Sequence, residues 1–350
     1  MKKKLSIIIT YSIGHFYIDF VCAYVFSLLW FKQLISPTLL GGLIILYNVI
    51  AFGSQPIWGF LMDYYKKSKE GAIVGLLLTT FGIALFFEPL LATIALSIGN
   101  AIYHAGGGIV ALNLEPSKAK YPGIYVAPGA LGLFFGAVLG RFTVGFNYVV
   151  IGIIIVCCVL VTLISKLPKA RIEKYKNVKN HLVSVILLLL LVSVCMRALI
   201  GFSLCLGWKS LFCLGLLLTT AIAAGKFFGG FLADKYGFMR VGIAGLLVAA
   251  PLLIFFQAIP WVVYIGVFCF NLVMPITLTA VAEALPNYKG FAFGLTTLAL
   301  IVGYMLFLIL KNNVVVGQVF TTIVISVNLI SLYFGLKDYN KIKVLSNYIE

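Results

Sequence analysis

Apolar runs long enough to cross a bilayer recur from one end of this chain to the other, and the polar segments between them are short. A spanning helix needs about 20 predominantly apolar residues. Twelve stretches qualify: roughly 5–30, 37–62, 71–87, 90–113, 123–141 and 146–165, then 181–204, 209–233, 240–257, 260–284, 290–310 and 314–336. The one sizeable polar break, Ser165 to His181 (SKLPKARIEKYKNVKNH), divides them six and six. The pattern predicts an all-α polytopic membrane protein of twelve transmembrane helices in two six-helix halves. Residues 1–165 form the first half, 166–180 a cytoplasmic linker, and 181–350 the second half with a short cytoplasmic tail. Charged residues are only 10% of the 350, whereas a soluble surface draws on about a quarter.

The basic residues orient the chain. Twenty of the 26 Lys and Arg fall in alternate connections, on the side of the N-terminus: Lys2 to Lys4, Lys66, Lys67, Lys69, Lys118, Lys120, six in the linker, Lys235, Arg240, Lys289 and three in the tail. The opposite side carries Lys32, Arg141, Lys209 and Lys311. This asymmetry predicts both termini in the cytoplasm and a plasma-membrane location. The formal net charge of +16 therefore reflects topology and anionic lipid rather than nucleic-acid binding. The segment MKKKLSIIITYSIGHFYIDF has the charged head of a signal peptide but no small-residue cleavage site, and reads as a first spanning helix. The seven cysteines form no CxxC pair and all lie in apolar runs; they read as packing residues. No metal and no cofactor is expected.

An internal repeat supports the division. GFLMDYYKKSKEG (Gly59 to Gly71) follows the second helix and GGFLADKYGFMR (Gly229 to Arg240) the eighth, each a Gly-Phe-Leu-x-Asp turn followed by basic residues. Asp63 and Asp234 are the candidate gating residues. The paired turns resemble the loop signature of the major facilitator superfamily, whose transporters are built from two such halves.

Charged and strongly polar residues at membrane depth usually face a cavity and mark a pathway. His15 and Asp19 lie one helical turn apart in the first helix, Asn100 and His104 likewise in the fourth; Arg197 is in the seventh and Asn271 in the tenth, four residues before Pro275. The resemblance implies that these four helices line a central cavity. Asp19 and the two histidines can exchange protons, while Arg197 stays charged and can act as a fixed counter-charge or an anion anchor. A purely structural cluster pinning helices by hydrogen bonds is the competing reading, and spacing alone is weak support for a metal. Lys226, two turns from its helix end, reads as snorkelling. Gly132, Gly136 and Gly140 form a small-residue stripe in the fifth helix, either a static packing face or a sliding surface between the halves.

GHFYIDF (Gly14 to Phe20), SIGNAIYHAGGG (Ser97 to Gly108) and APGALGLFFGAVLG (Ala127 to Gly140) are similar to fosmidomycin-resistance-type efflux proteins of that superfamily. His15, Asp19 and His104 fall on matching positions. Ala105 and Gly106 stand where that family has a proline and an acidic residue. The resemblance implies proton-coupled export of a small organic molecule by a monomer in the lipid bilayer, with no enzymatic activity. Uptake of a metabolite or peptide is the alternative within transport. An intramembrane enzyme is disfavoured by the repeat and by the lack of Glu-x-x-x-Arg, His-Glu-x-x-His or Gly-x-Ser-x-Gly. A transport-dead sensor on the same fold is the third possibility.

Overall fold

A computed structural model describes residues 2–142, 180–311 and 317–347. The expected sixth helix (146–165) and nearly all of the linker lie outside these residues. Everything described is helical apart from turns. The first half contains α1 (Lys2–Phe31), α2 (Pro37–Gly53), α3 (Gln55–Tyr65), α4 (Ser68–Ala84), α5 (Pro89–Leu114) and α6 (Lys120–Phe142). The second contains α7 (Asn180–Ser203), a 3-10 turn at Gly207–Ser210, α8 (Phe212–Tyr236), α9 (Phe238–Phe255), α10 (Pro260–Asn271), α11 (Val273–Ala284), α12 (Lys289–Leu310) and α13 (Gln318–Asn347). Among the described residues, ten helices or consecutive helix pairs are long and apolar enough to span a membrane. The seventeen-residue α4 occupies the position expected for the third span.

Two spans are broken where proline dictates. Proline lacks an N–H and disfavours α geometry in the residue before it. Pro56 separates α2 from α3 at Ser54, and the carbonyl it leaves without a partner, that of Phe52, accepts instead from Thr297 Oγ of α12 at 3.3 Å. Pro275 follows the α10–α11 break at Leu272. Pro128 stays inside α6, freeing the Ile124 carbonyl, which accepts from Ser12 Oγ of α1 at 3.1 Å. In each filled case a neighbouring helix supplies the donor that lipid cannot.

The loops gather the basic residues at one end of the bundle, called here the basic end. There Glu115 accepts from Lys120 Nζ at 2.9 Å, with Lys4 Nζ at 3.8 Å. Partial burial alone would raise the Glu115 carboxyl, but the Lys120 hydrogen bond and the surrounding cations hold it below the ordinary carboxylate range.

The glycine stripe packs α6 onto α1 within the first half. A Cβ at Gly132, Gly136 or Gly140 would collide with the backbone carbonyl of Phe16, Phe20 or Tyr24 respectively. In this structure the stripe faces α1 rather than the second half. Gly136→Ala should therefore lower the thermal midpoint of the purified protein by an amount equivalent to about 1–3 kcal/mol. Gly42→Ala, where nothing lies within 4 Å of the added carbon, should leave it unchanged. Equal midpoints for the two variants would show that the seam is not close-packed.

Candidate functional site

Four helices of the first half converge on one buried polar cluster. α1 contributes His15 and Asp19, α5 contributes Asn100 and His104, α2 contributes Tyr47, and α6 contributes a backbone carbonyl beside its proline. His15 and His104 are each 6% exposed and Asp19 is 7% exposed. The Nε2 atoms of the two imidazoles lie 2.8 Å apart. Asp19 Oδ2 is 3.2 Å from His15 Nε2, and Oδ1 is 3.5 Å from His104 Nε2. Asn100 Nδ2 donates to Asp19 Oδ1 at 3.3 Å and to Tyr47 Oη at 3.0 Å. Gly129 makes room for all this, because a Cβ there would strike both Asp19 Oδ2 and His15 Nε2.

The partners fix the protons. His15 Nδ1 faces the Tyr125 carbonyl at 2.8 Å and His104 Nδ1 faces the Asn100 carbonyl at 2.9 Å. Carbonyl oxygens only accept, so both Nδ1 atoms carry their hydrogens. Two neutral rings would then point bare lone pairs at each other across 2.8 Å. The Nε2–Nε2 contact becomes a hydrogen bond only with one further proton between them. The pair so charged has its counter-ion in Asp19.

Three ligand atoms of His15, Asp19 and His104 lie within 4.8 Å of one another, close enough for a metal group. Imidazole nitrogens bound about 2.0–2.1 Å from a tetrahedral ion stand about 3.3 Å apart, so the 2.8 Å separation fits a hydrogen bond better than a shared metal.

The second half contributes differently from expectation. Arg197, 8% exposed, borders a void of about 20 Å³ that it shares with Val126, Thr277, Phe293, Thr296 and Thr297. Asn271 does not join the cluster: its Nδ2 donates to Val267 O of its own helix at 2.8 Å. Lys226, read as snorkelling, is partly exposed and lies within electrostatic reach of both Asp19 and Arg197. Tyr47 and Gly129 were missed by the sequence reading. The proline at 128 was the available sign that α6 offers free carbonyls to α1.

At the basic end the repeated turns fasten one half to the other with near two-fold symmetry. Asp63 Oδ2 accepts from the amides of Gly290 and Phe291, at the start of α12, at 2.8 and 3.0 Å. Asp234 accepts from Ala119 and Lys120, at the start of α6, at 2.7 and 3.1 Å. Each aspartate thus caps a helix N-terminus of the opposite half. The glycine four residues earlier lets the backbones meet: Gly59 lies against Gly290 O and Gly230 against Ala119 O. Between the two turns, Glu283 (3% exposed) accepts from Ser117 N at 3.1 Å and Ser117 Oγ at 2.7 Å. It also pairs with Lys289 at 3.4 Å, and Lys289 Nζ donates to Leu112 O at 3.4 Å. The basic end is closed.

Residues 8–310 match the family model of the Major Facilitator Superfamily. No curated protein sequence gives a significant match. Among solved structures, a variant of the E. coli fucose:proton symporter FucP superposes with a TM-score of 0.72 at 16% identity, over 94% of this chain and 99% of that one. FucP in its outward conformation gives 0.70 at 15% identity, over the same shares. The human organic anion transporter MFSD10 (TETRAN) gives 0.73 at 12% identity, over 95% of this chain and 99% of that one. At these identities the likeness is one of fold.

If the capping contacts hold the basic end shut, weakening one should open it. Asp63→Asn removes the charge but keeps an oxygen that can still accept. In the purified protein it should raise the rate at which a cysteine placed at Ser117 is alkylated several-fold, and slow the functional cycle without abolishing ligand binding. An unchanged alkylation rate would mean that Asp63 does not hold the end closed.

Proposed function

Since the chain belongs to the major facilitator superfamily and is a multi-pass membrane protein of transporter fold, we propose that it is a proton-coupled secondary transporter that exports a small organic molecule by alternating access. The reading rests chiefly on the His15–His104 contact, which needs one proton beyond the neutral rings and keeps its counter-charge, Asp19, within 3.5 Å. A carboxylate and two imidazoles in the bundle interior form a group that can load a proton on one side and discharge it on the other.

The basic end is the cytoplasmic one in this proposal, by the positive-inside rule, and the membrane is the plasma membrane. The closed basic end then makes this an outward-type conformation, in keeping with the likeness to FucP described in its outward conformation. A proton entering from the far end would join the His pair and favour release of the cargo outward. Opening at the basic end would discharge it. Export rather than uptake follows the resemblance of GHFYIDF and SIGNAIYHAGGG to fosmidomycin-resistance-type proteins, and we take the transporter to act as a monomer.

Asp19→Asn separates these steps. It keeps the shape of the carboxylate and removes the charge that balances the shared proton. Reconstituted vesicles containing the variant should lose pH-gradient-driven accumulation, by at least about tenfold, while still exchanging cargo between equal pools. Exchange needs no net proton movement. His104→Gln should show a milder form of the same defect. Uphill transport by Asp19→Asn at the normal rate would reduce the cluster to a structural pin.

A further inference from the structure

Of the ten acidic residues in the sequence, only Asp19 lies in the middle of a span. Asp63, Glu115, Asp234 and Glu283 are all at the basic end, and the expected sixth helix contains no Asp or Glu. Asp19 is already engaged, its two oxygens shared by the His pair and Asn100. Two cations of the second half nevertheless stand in the same region. Arg197 makes no hydrogen bond or ion pair among the described residues, and its buried Nη1 has no partner at all. Lys226 is likewise without a hydrogen bond or ion pair among them, although it lies within electrostatic reach of Asp19 and Arg197.

This imbalance is costly. An uncompensated charge withdrawn from water costs several kcal/mol, and normally a partner or a functional ligand is found with it. Here one carboxylate stands with the histidine pair and two cations, so among the described residues the cationic groups at this centre outnumber the carboxylates. The Arg197 side chain borders a void of about 20 Å³, room for about one water. That void lies between α6 of the first half and α7, α11 and α12 of the second. An organic anion fits only once the void widens.

We propose that Arg197 and Lys226 form the anion-binding wall of the transport site, and that the transported molecule carries a carboxylate or phosphate group. This rests on the transport reading above. The flat guanidinium fork suits a two-oxygen anion better than a single acceptor, and Lys226 adds a second charge nearer Asp19. The cargo's anionic end would then face the second half and its remainder the histidine cluster.

The test uses the purified full-length protein in lipid nanodiscs, with benzoate, inorganic phosphate, the neutral isostere benzamide and the cation benzylammonium as probes. Concentration-dependent thermal stabilisation gives an apparent Kd for each. Benzoate or phosphate should stabilise the wild type and benzamide and benzylammonium should not. Arg197→Gln and Lys226→Gln should each weaken the anion by at least about tenfold, the loss expected when one partner of a buried charge pair is removed. Arg197→Lys keeps the charge and provides a reading if Arg197→Gln fails to fold; it should bind the anion more weakly than wild type. Benzoate tells a carboxylate site from a phosphate one. The proposal is overturned if neither anion stabilises the wild type, if benzamide matches benzoate, or if the folded variants bind the anion unchanged. Anion binding by a protein that moves neither cargo nor protons in vesicles would remove the transport reading and leave the anion wall standing.

Discussion

In a bilayer every backbone N–H and C=O must find its partner inside the protein, because lipid offers none. Each proline in a spanning helix therefore creates a debt of one carbonyl, and where that carbonyl is directed decides what the helix can touch. Pro128 frees Ile124 O, which Ser12 takes up; the next carbonyl, Tyr125 O, receives His15 Nδ1. The ring is thereby fixed in one tautomer, with Nε2 turned to His104 and Asp19. Without the proline α6 would bond Ile124 O within its own ladder, and Ser12 would lose that partner. Pro56 does the same across the halves, directing Phe52 O to Thr297. The bilayer constraint thus directs one contact within the first half and one between the two halves.

The closed end depends on a second use of backbone groups, the free amides at helix N-termini. A charge in the first turn is worth about 0.3–1 kcal/mol when exposed and up to about 2 kcal/mol when partly buried. Asp63 and Asp234 each meet two such amides from the opposite half, and Glu283 adds a charged acceptor for Ser117. Together these contacts reach a few kcal/mol. Moving a two-state equilibrium from 1:99 to 99:1 takes about 5.5 kcal/mol, so these contacts are strong enough to bias a resting state and weak enough for ligand binding to reverse it. A larger apolar seal would close the end more firmly and also hold it shut. Capping bonds are exchanged for water as the end opens, which keeps the difference between states small.

Much of this was legible in the sequence because membrane insertion makes charge rare. With 10% charged residues, His15, Asp19, Asn100, His104 and Arg197 stood out by position alone, and helical spacing placed each pair on one face. The repeated Gly-x-x-x-Asp turns also announced themselves, since the glycine and the aspartate act together on one opposing helix start. Span positions followed from length and hydropathy, but the breaks at Ser54 and Leu272 showed only as nearby prolines, whose effect on direction needs the packed neighbour. Asn271 misled because polarity at depth does not say which way a side chain turns; it satisfies itself on its own helix. Lys226 misled for the opposite reason. Its distance from the helix end permits snorkelling, and only the positions of Asp19 and Arg197 give it an inward environment. Gly129 was passed over because it lay just before the stripe at Gly132, Gly136 and Gly140, and its neighbour is a side-chain cluster rather than a backbone.

α6 ties these features into one moving part. Its glycine stripe locks it to the backbone of α1, so the two helices move together, and Gly129 places it in contact with His15 and Asp19. Nine residues earlier, about 14 Å along the axis, its first amides are held by Asp234 of the opposite half. Gly123 lies between, with its open face on the Lys226 carbonyl of α8. A change in the charge of the proton cluster acts on α1, and α1 cannot shift without carrying α6 along the stripe. That displacement is felt where Asp234 caps α6 and where Lys226 stands, the same residue that faces Asp19 and Arg197. Coupling in the proposed cycle needs no long chain of side chains. One packed pair of helices has the His15–Asp19–His104 cluster on its flank and the Asp234 cap at its tip, and a packed interface between them that tolerates two arrangements more readily than a continuum.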